Sequence, residues 1–254
     1  MATSQWLPAK QTVRSGLRLT RHLLQGDIFR FAHQQAQPLR DKYSYLWSQF
    51  VTPIPQRPGA SAINANRLKN LQIAVQHLDG LILKAHKVFS FWHQVPRPTL
   101  SNGYCEGPAF FNGTVTKDVG GGLCLISTNL FNTFLLSGCD ILERHNHSID
   151  PYGDRRFFPL GRDAAVFYGY KDLIINNHQT VDLQLALDIS DDQDQVKSSL
   201  WGTEPKTAKL KVESVRRNER PAPDSQGMPG YEVETTRLVA HTTDVGTINW
   251  HPDY

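Results

Sequence analysis

Three consecutive glycines lead directly into a cysteine in this chain, as Val119-Gly120-Gly121-Gly122-Leu123-Cys124, and an apolar run then continues to Leu136 before Gly138. Glycines in series allow backbone conformations closed to other residues and let another group approach the main chain closely. After them, Ile126, Leu130, Phe134 and Ser137 fall on one helical stripe. Gly138 is placed as a left-handed terminator. The pattern predicts a helix that starts near Cys124 and runs to Leu136, with the glycine turn at its N-terminus.

The flanking sequence is read around that helix. Leu39, Tyr43, Leu46 and Phe50 recur at helical spacing, and Pro53, Pro55 and Pro58 follow as a rigid connector, so the first eighty residues read as helical. Leu68, Leu71, Val75 and Leu78 predict a further helix, with Asn64 or Asn66 as its cap and Gly80 as its stop. Strands are expected within 81–92, 140–148, 163–168, 172–175 and 196–201. Val181, Leu183, Leu185, Leu187 and Ile189 alternate with more polar residues, the pattern of a strand with one buried face. Asn112-Gly113 is the signature of a type I′ hairpin turn. Residues 209–216 and 231–241 are expected to pair as a hairpin around a mobile loop at 218–230. The predicted class is α+β, with N-terminal helices, then a mainly antiparallel sheet with one helix inserted near Cys124. A basic helical region (1–60), a core (61–203) and a C-terminal hairpin extension (204–254) are the expected divisions.

Composition narrows the function classes. The chain has 254 residues, 39% of them hydrophobic, and a net charge of +3, with no dense Lys/Arg stripe of the kind nucleic-acid binding requires. Three cysteines, Cys105, Cys124 and Cys139, form neither a disulfide framework nor a Cys-x-x-Cys zinc pair. No apolar leader or spanning segment is legible, which makes the cytoplasm the expected compartment. Residues 13–31 mix arginines with Leu17, Leu24, Ile28 and Phe29. Such a stretch either packs on its own domain or touches an anionic membrane surface.

A cysteine at the start of a helix faces main-chain N–H groups and the positive end of the helix dipole, which lower the thiol pKa. The amides of Gly120, Gly121, Gly122 and Leu123 are candidate donors to an oxyanion. Glu143-Arg144-His145-Asn146-His147-Ser148 follows, and on a strand His145 and His147 would share one face. Either is a candidate base for Cys124, with Asp163 or Asp150 to orient it. Arg144 and Arg162 are candidates to bind a substrate carboxylate. Cys124, His145 and His147 also have a metal-ligand spacing, so a zinc site stands as an alternative. Structural roles for the glycines and histidines are the third reading.

Residues from about 63 to 203 resemble the VanW family. The resemblance is carried by Lys69-Asn70-Leu71, Leu78-Asp79-Gly80, Val88-Phe89-Ser90-Phe91-Trp92, Thr99 and Gly103-Tyr104. It continues through Gly120 to Cys124, Glu143 to Ser148, Gly161-Arg162-Asp163-Ala164 with Tyr168, Asp172-Leu173 and Asn176-Asn177. It implies a link to the bacterial cell envelope and glycopeptide resistance. Members that act as L,D-transpeptidases use a cysteine nucleophile, which maps onto Cys124. The family's usual glutamine after that cysteine is Leu125 here. The resemblance implies a peptide or peptidoglycan-precursor substrate and no cofactor. Its alternative is a binding or accessory protein on the same scaffold.

Overall fold

In the computed structural model, the described residues are 42–111, 114–147, 156–222, 229–242 and 248–254, with 30–32, 34–35, 13, 16, 17 and 20 ahead of them. The basic stretch 13–31 and Asp150 therefore lie largely or wholly outside the description.

The elements run in the order β1 (Gln34–Gln35), β2 (Tyr45–Pro53), α1 (Ser61–Leu78), β3 (Leu81–Leu83), β4 (Val88–Ser90), α2 (Phe91–Gln94), β5 (Glu106–Phe111) and β6 (Thr114–Val119). Then come α3 (Leu123–Ser137), β7 (Asp140–Glu143), β8 (Ile174–Asn176), β9 (Leu183–Ile189), β10 (Gln195–Gly202), β11 (Lys209–Arg220), β12 (Gly230–Thr242) and β13 (Ile248–Pro252). The class is α+β, with every named strand pair antiparallel. A five-stranded sheet has the order β1-β3-β9-β10-β2, and two three-stranded sheets, β4-β8-β7 and β11-β12-β13, flank it with the β5-β6 ribbon.

Residues 45–53 correct the helical reading of the N-terminal region. The segment Tyr-Leu-Trp-Ser-Gln-Phe-Val-Thr-Pro is rich in aromatic and β-branched residues and pairs along its length with β10, from Tyr45↔Gly202 to Pro53↔Gln195. Packing against a neighbouring strand decides such segments more than spacing does. Neither predicted cap is used by α1. Its N-cap is Ala60, while Asn64 exchanges two hydrogen bonds with the main chain of Arg57 and Asn66 donates to Glu106 O. Gly80 follows the helix at φ +75°, in the left-handed region.

Strands at 81–83, 88–90, 183–189 and 195–202, and the β11–β12 hairpin, fall where the sequence places them. Of the loop expected at 218–230, residues 218–220 continue β11 and 223–228 lie outside the description. β5 and β6 pair up to Phe111↔Thr114, and the Asn112-Gly113 turn lies outside the described residues. Residues 163–168 do not form the expected strand, because side chains of α3 take their main-chain groups.

The core sits around α3. Ile126, Leu130, Phe131, Phe134 and Leu135 are fully buried and join α1 residues Leu71, Ala74 and Leu78 with β9 and β10 residues Leu183, Leu185, Val196 and Leu200. Burying such side chains contributes on the order of 1.5–3 kcal/mol each, so α3 is fixed from nearly all sides. Among the described residues, no helix is long and apolar enough to cross a membrane.

A cysteine, histidine and aspartate at the start of the central helix

The glycine turn is built by steric necessity. Gly121 and Gly107 pack backbone on backbone, and a Cβ on Gly121 would lie 2.3 Å from the carbonyl carbon of Gly107. Gly122, the N-cap of α3, has φ +106°. Buried Asn70 ties the turn to α1: its amide accepts from Cys105 N and donates to Cys105 O and Gly121 O, all at 2.8–2.9 Å. Asn70 is a site residue whose function the sequence did not disclose, although it stands in the Lys69-Asn70-Leu71 block.

Several glycine-turn amides are already engaged. Gly120 N–H donates to Cys105 O, Gly121 N–H to Asp118 O, Leu123 N–H to Gly120 O and Leu125 N–H to Gly122 O. Among the described residues, the N–H groups of Gly122 and Cys124 make no main-chain bond. The candidate donors to a ligand thus narrow to Gly122 and Cys124, and not the whole glycine run.

Cys124 lies in the first turn of α3, half-buried, with its thiol 3.5 Å from Val166 O. Burial alone would raise the thiol pKa. A hydrogen bond from His147 and its charge, with a main-chain hydrogen bond from Val166 and the charge of Lys171, outweigh burial and hold it below the usual thiol value. His147 is its partner. Burial disfavours the imidazolium, but hydrogen bonds to Asp163 and Cys124 raise the His147 pKa to about 10. His147 Nδ1 sits 2.9 Å from Asp163 Oδ2, and its main-chain N–H donates to the same oxygen at 2.7 Å. Burial would raise the Asp163 pKa, yet these bonds and the Arg144 charge keep it below the carboxylate norm. The group is therefore a thiol held below its usual pKa, facing an imidazole held above its own and backed by a carboxylate, which favours the thiolate–imidazolium pair.

The other candidates are placed elsewhere. β7 ends at Glu143 after a register shift, so residues 144–147 are off the strand and the two histidines part. His145 Nε2 turns to Glu143 Oε1 at 2.9 Å, and that carboxylate also accepts from Asp172 N. Arg144 Nη2 pairs with Asp163 Oδ1 at 3.0 Å. Arg162 points to the C-terminal sheet, donating to Val212 O at 2.5 Å. Asp163 and His147 thus join Cys124, whereas His145 and Arg162 do not. No group of three or more His, Cys, Asp or Glu among the described residues is arranged to hold a metal ion.

Helix α3 also fixes the segment that carries Asp163. Thr128 Oγ1 accepts from Ala164 N at 3.0 Å, Ser127 Oγ donates to Ala164 O at 2.6 Å, and Asn132 donates to Arg162 O at 2.9 Å. Ala165 N–H donates to His145 O at 2.7 Å, joining this segment to the histidine segment. Lys171, whose charge acts on the Cys124 thiol, donates to Asn146 O. The Trp92 indole donates to Lys171 O and stands edge-on to Tyr168, with ring centroids 5.4 Å apart. A separate cavity lined by Trp47, Ser137, Gly138 and Lys206 lies at the other end of α3, about 20 Å away at 1.5 Å per residue.

The family model described as VanW like protein matches residues 66–201, more than half of the chain. The vancomycin B-type resistance protein VanW of Enterococcus faecalis (strain ATCC 700802 / V583) is 30% identical over 129 residues, covering 50% of this chain and 47% of that protein. The uncharacterized protein YoaR of Bacillus subtilis (strain 168) is 32% identical over 115 residues, 45% of this chain and 36% of that protein. The chain thus matches less than half the length of these curated relatives. No solved structure gives a significant match. With Asn70, Cys124, His147 and Asp163 all inside the matched span, the chain belongs to the VanW-like family.

Proposed function

We propose that the chain is a cysteine-dependent acyl transferase acting on peptide substrates, with Cys124 as nucleophile, His147 as base and acid, and Asp163 as the group that orients His147. The observation that carries the reading is the His147–Asp163 contact at 2.9 Å with Cys124 bonded to the same imidazole. That is the nucleophile–base–orienter relationship of covalent acyl catalysis.

In the proposed reaction the Cys124 thiolate adds to a substrate carbonyl carbon, and the oxyanion is received by the N–H groups of Gly122 and Cys124. His147 delivers its proton to the departing amine, leaving a thioester on Cys124. An incoming amine then attacks the thioester, loses its proton to His147, and leaves as the new amide while the thiolate is restored. The vancomycin-resistance name of one relative supports cell-wall peptides or their precursors as the substrate class. Contact of residues 13–31 with a membrane surface would bring the site near such substrates.

The test is intact-protein mass spectrometry after incubation with cell-wall stem peptides. The reading expects an acyl adduct on the wild type that is absent from Cys124→Ser. A protein that binds these peptides with no adduct under any condition would favour an accessory binding role instead.

A further inference from the structure

We infer that Arg144 is the positioning residue of this site, the group that fixes the Asp163 carboxylate in the orientation from which it holds His147. The geometry is independent of substrate, while its consequence for catalysis rests on the acyl-transfer reading. Arg144 grips Asp163 at two points. Its Nη2 donates to Oδ1 at 3.0 Å and its Nε to the Asp163 main-chain oxygen at 2.7 Å, and Nη2 also donates to Gly161 O at 2.8 Å. With Oδ1 occupied, Oδ2 is the oxygen presented to His147, to both its main-chain N–H and its Nδ1. The torsion about an aspartate carboxylate is soft and nearly two-fold, so an unheld carboxylate turns readily. A planar guanidinium with several fixed donors removes that freedom, which a lysine ammonium cannot do in the same way.

The guanidinium is itself seated on α3, over the Phe131 ring at 5.2 Å. Arg144 thereby links the helix that carries Cys124, the segment that carries Asp163 and the segment that carries His147. The side chain is 21% exposed, so a bound substrate has limited access to it, and its Nε and Nη2 donors are spent on protein acceptors. This assigns Arg144 inward to the triad in place of the carboxylate-binding role suggested by its sequence position.

Charge and grip predict opposite outcomes. As a bare charge, Arg144 offsets Asp163 and disfavours the imidazolium, so its removal would stabilise the ion pair. As a clamp, it aligns Asp163 with His147, so its removal weakens the pair. The experiment measures the alkylation rate of Cys124 by iodoacetamide against pH for wild type, Arg144→Gln, Arg144→Lys and Asp163→Asn, with near-UV circular dichroism to monitor the fold. The clamp predicts that Arg144→Gln moves the thiol titration up by about one pH unit, slowing the reaction about tenfold on the acid limb of the profile, below both titration midpoints. Arg144→Lys falls between it and the wild type.

Asp163→Asn shifts at least as far as Arg144→Gln. An unchanged or down-shifted profile for Arg144→Gln, with Asp163→Asn shifted up, overturns the positioning role and leaves the triad intact. An unshifted Asp163→Asn overturns both. If Arg144→Gln does not fold, Arg144→Lys decides, because it keeps the charge and gives up the fork. A shift upward supports the clamp, and a wild-type profile overturns it.

Discussion

His147 Nδ1 meets Asp163 Oδ2 at 2.9 Å, and this contact commits the imidazole to one orientation with its other nitrogen left for Cys124. An ionised carboxylate only accepts, so Nδ1 is the protonated donor.

The pair has a calculable effect on stability. His147 rises from 6.5 to about 10 on folding, so its contribution is fully present below pH 6.5 and lost as pH rises through about 10. Cys124 is lowered from 9.0, so its contribution is present above pH 9 and lost as pH falls through the lowered value. Above both 6.5 and the lowered thiol pKa, and up to about 9, the two slopes offset each other and the pair gives a plateau. Chemical denaturation of wild type and Cys124→Ser is therefore expected to show the largest difference on this plateau, declining toward both acid and alkali. A difference independent of pH would contradict the ion pair.

Thr128 holds the aspartate segment to the nucleophile's helix. Thr128→Val keeps the shape but leaves Ala164 N–H buried and unbonded, which costs about 1–3 kcal/mol. Denaturant unfolding is expected to show that loss, and Cys124 alkylation at pH 6 is expected to slow because Asp163 is less firmly placed.

Asn70 is expected to be more sensitive. Asn70→Ala removes the partner of Cys105 N and one partner each of Cys105 O and Gly121 O, at a cost of about 2–4 kcal/mol. Unfolding measurements are expected to show this, and a near-neutral variant would mean that the turn is held by other contacts.

Leu125 stands where the family usually has glutamine, and it is 5% exposed, within the core cluster. Leu125→Gln is therefore expected to destabilise by about 1–3 kcal/mol through burial of an amide, without enhancing Cys124 reactivity. Thermal unfolding together with alkylation kinetics checks both parts.

What the sequence disclosed depended on how local the cause was. α3 and its Gly138 terminator, the alternating strand β9 and the β11–β12 hairpin are written in short-range patterns, and all appear. β2 was concealed because Leu39, Tyr43, Leu46 and Phe50 also satisfy a helical period, and its pairing with β10 is remote in sequence. Cys124 stood out by its glycines, and His147 and Asp163 were among the candidates. The choice of His147 over His145 was not legible, because it depends on β7 ending at Glu143 and on bonds between α3 and residues 162–165. Nor was the partner of Arg144, an aspartate 19 residues away.

The most direct test compares alkylation of Cys105, Cys124 and Cys139 across pH, read by peptide mass spectrometry, in wild type and His147→Ala. Cys139 is fully buried and its thiol is pushed up to about 11 by that burial, so it is expected to stay unmodified in the folded protein. The activated pair predicts that Cys124 reacts first and retains its reactivity well below the ordinary thiol range, and that His147→Ala slows it at least about tenfold at pH 6.5. Equal reactivity of Cys105 and Cys124, or a His147→Ala profile that overlays the wild type, would contradict it.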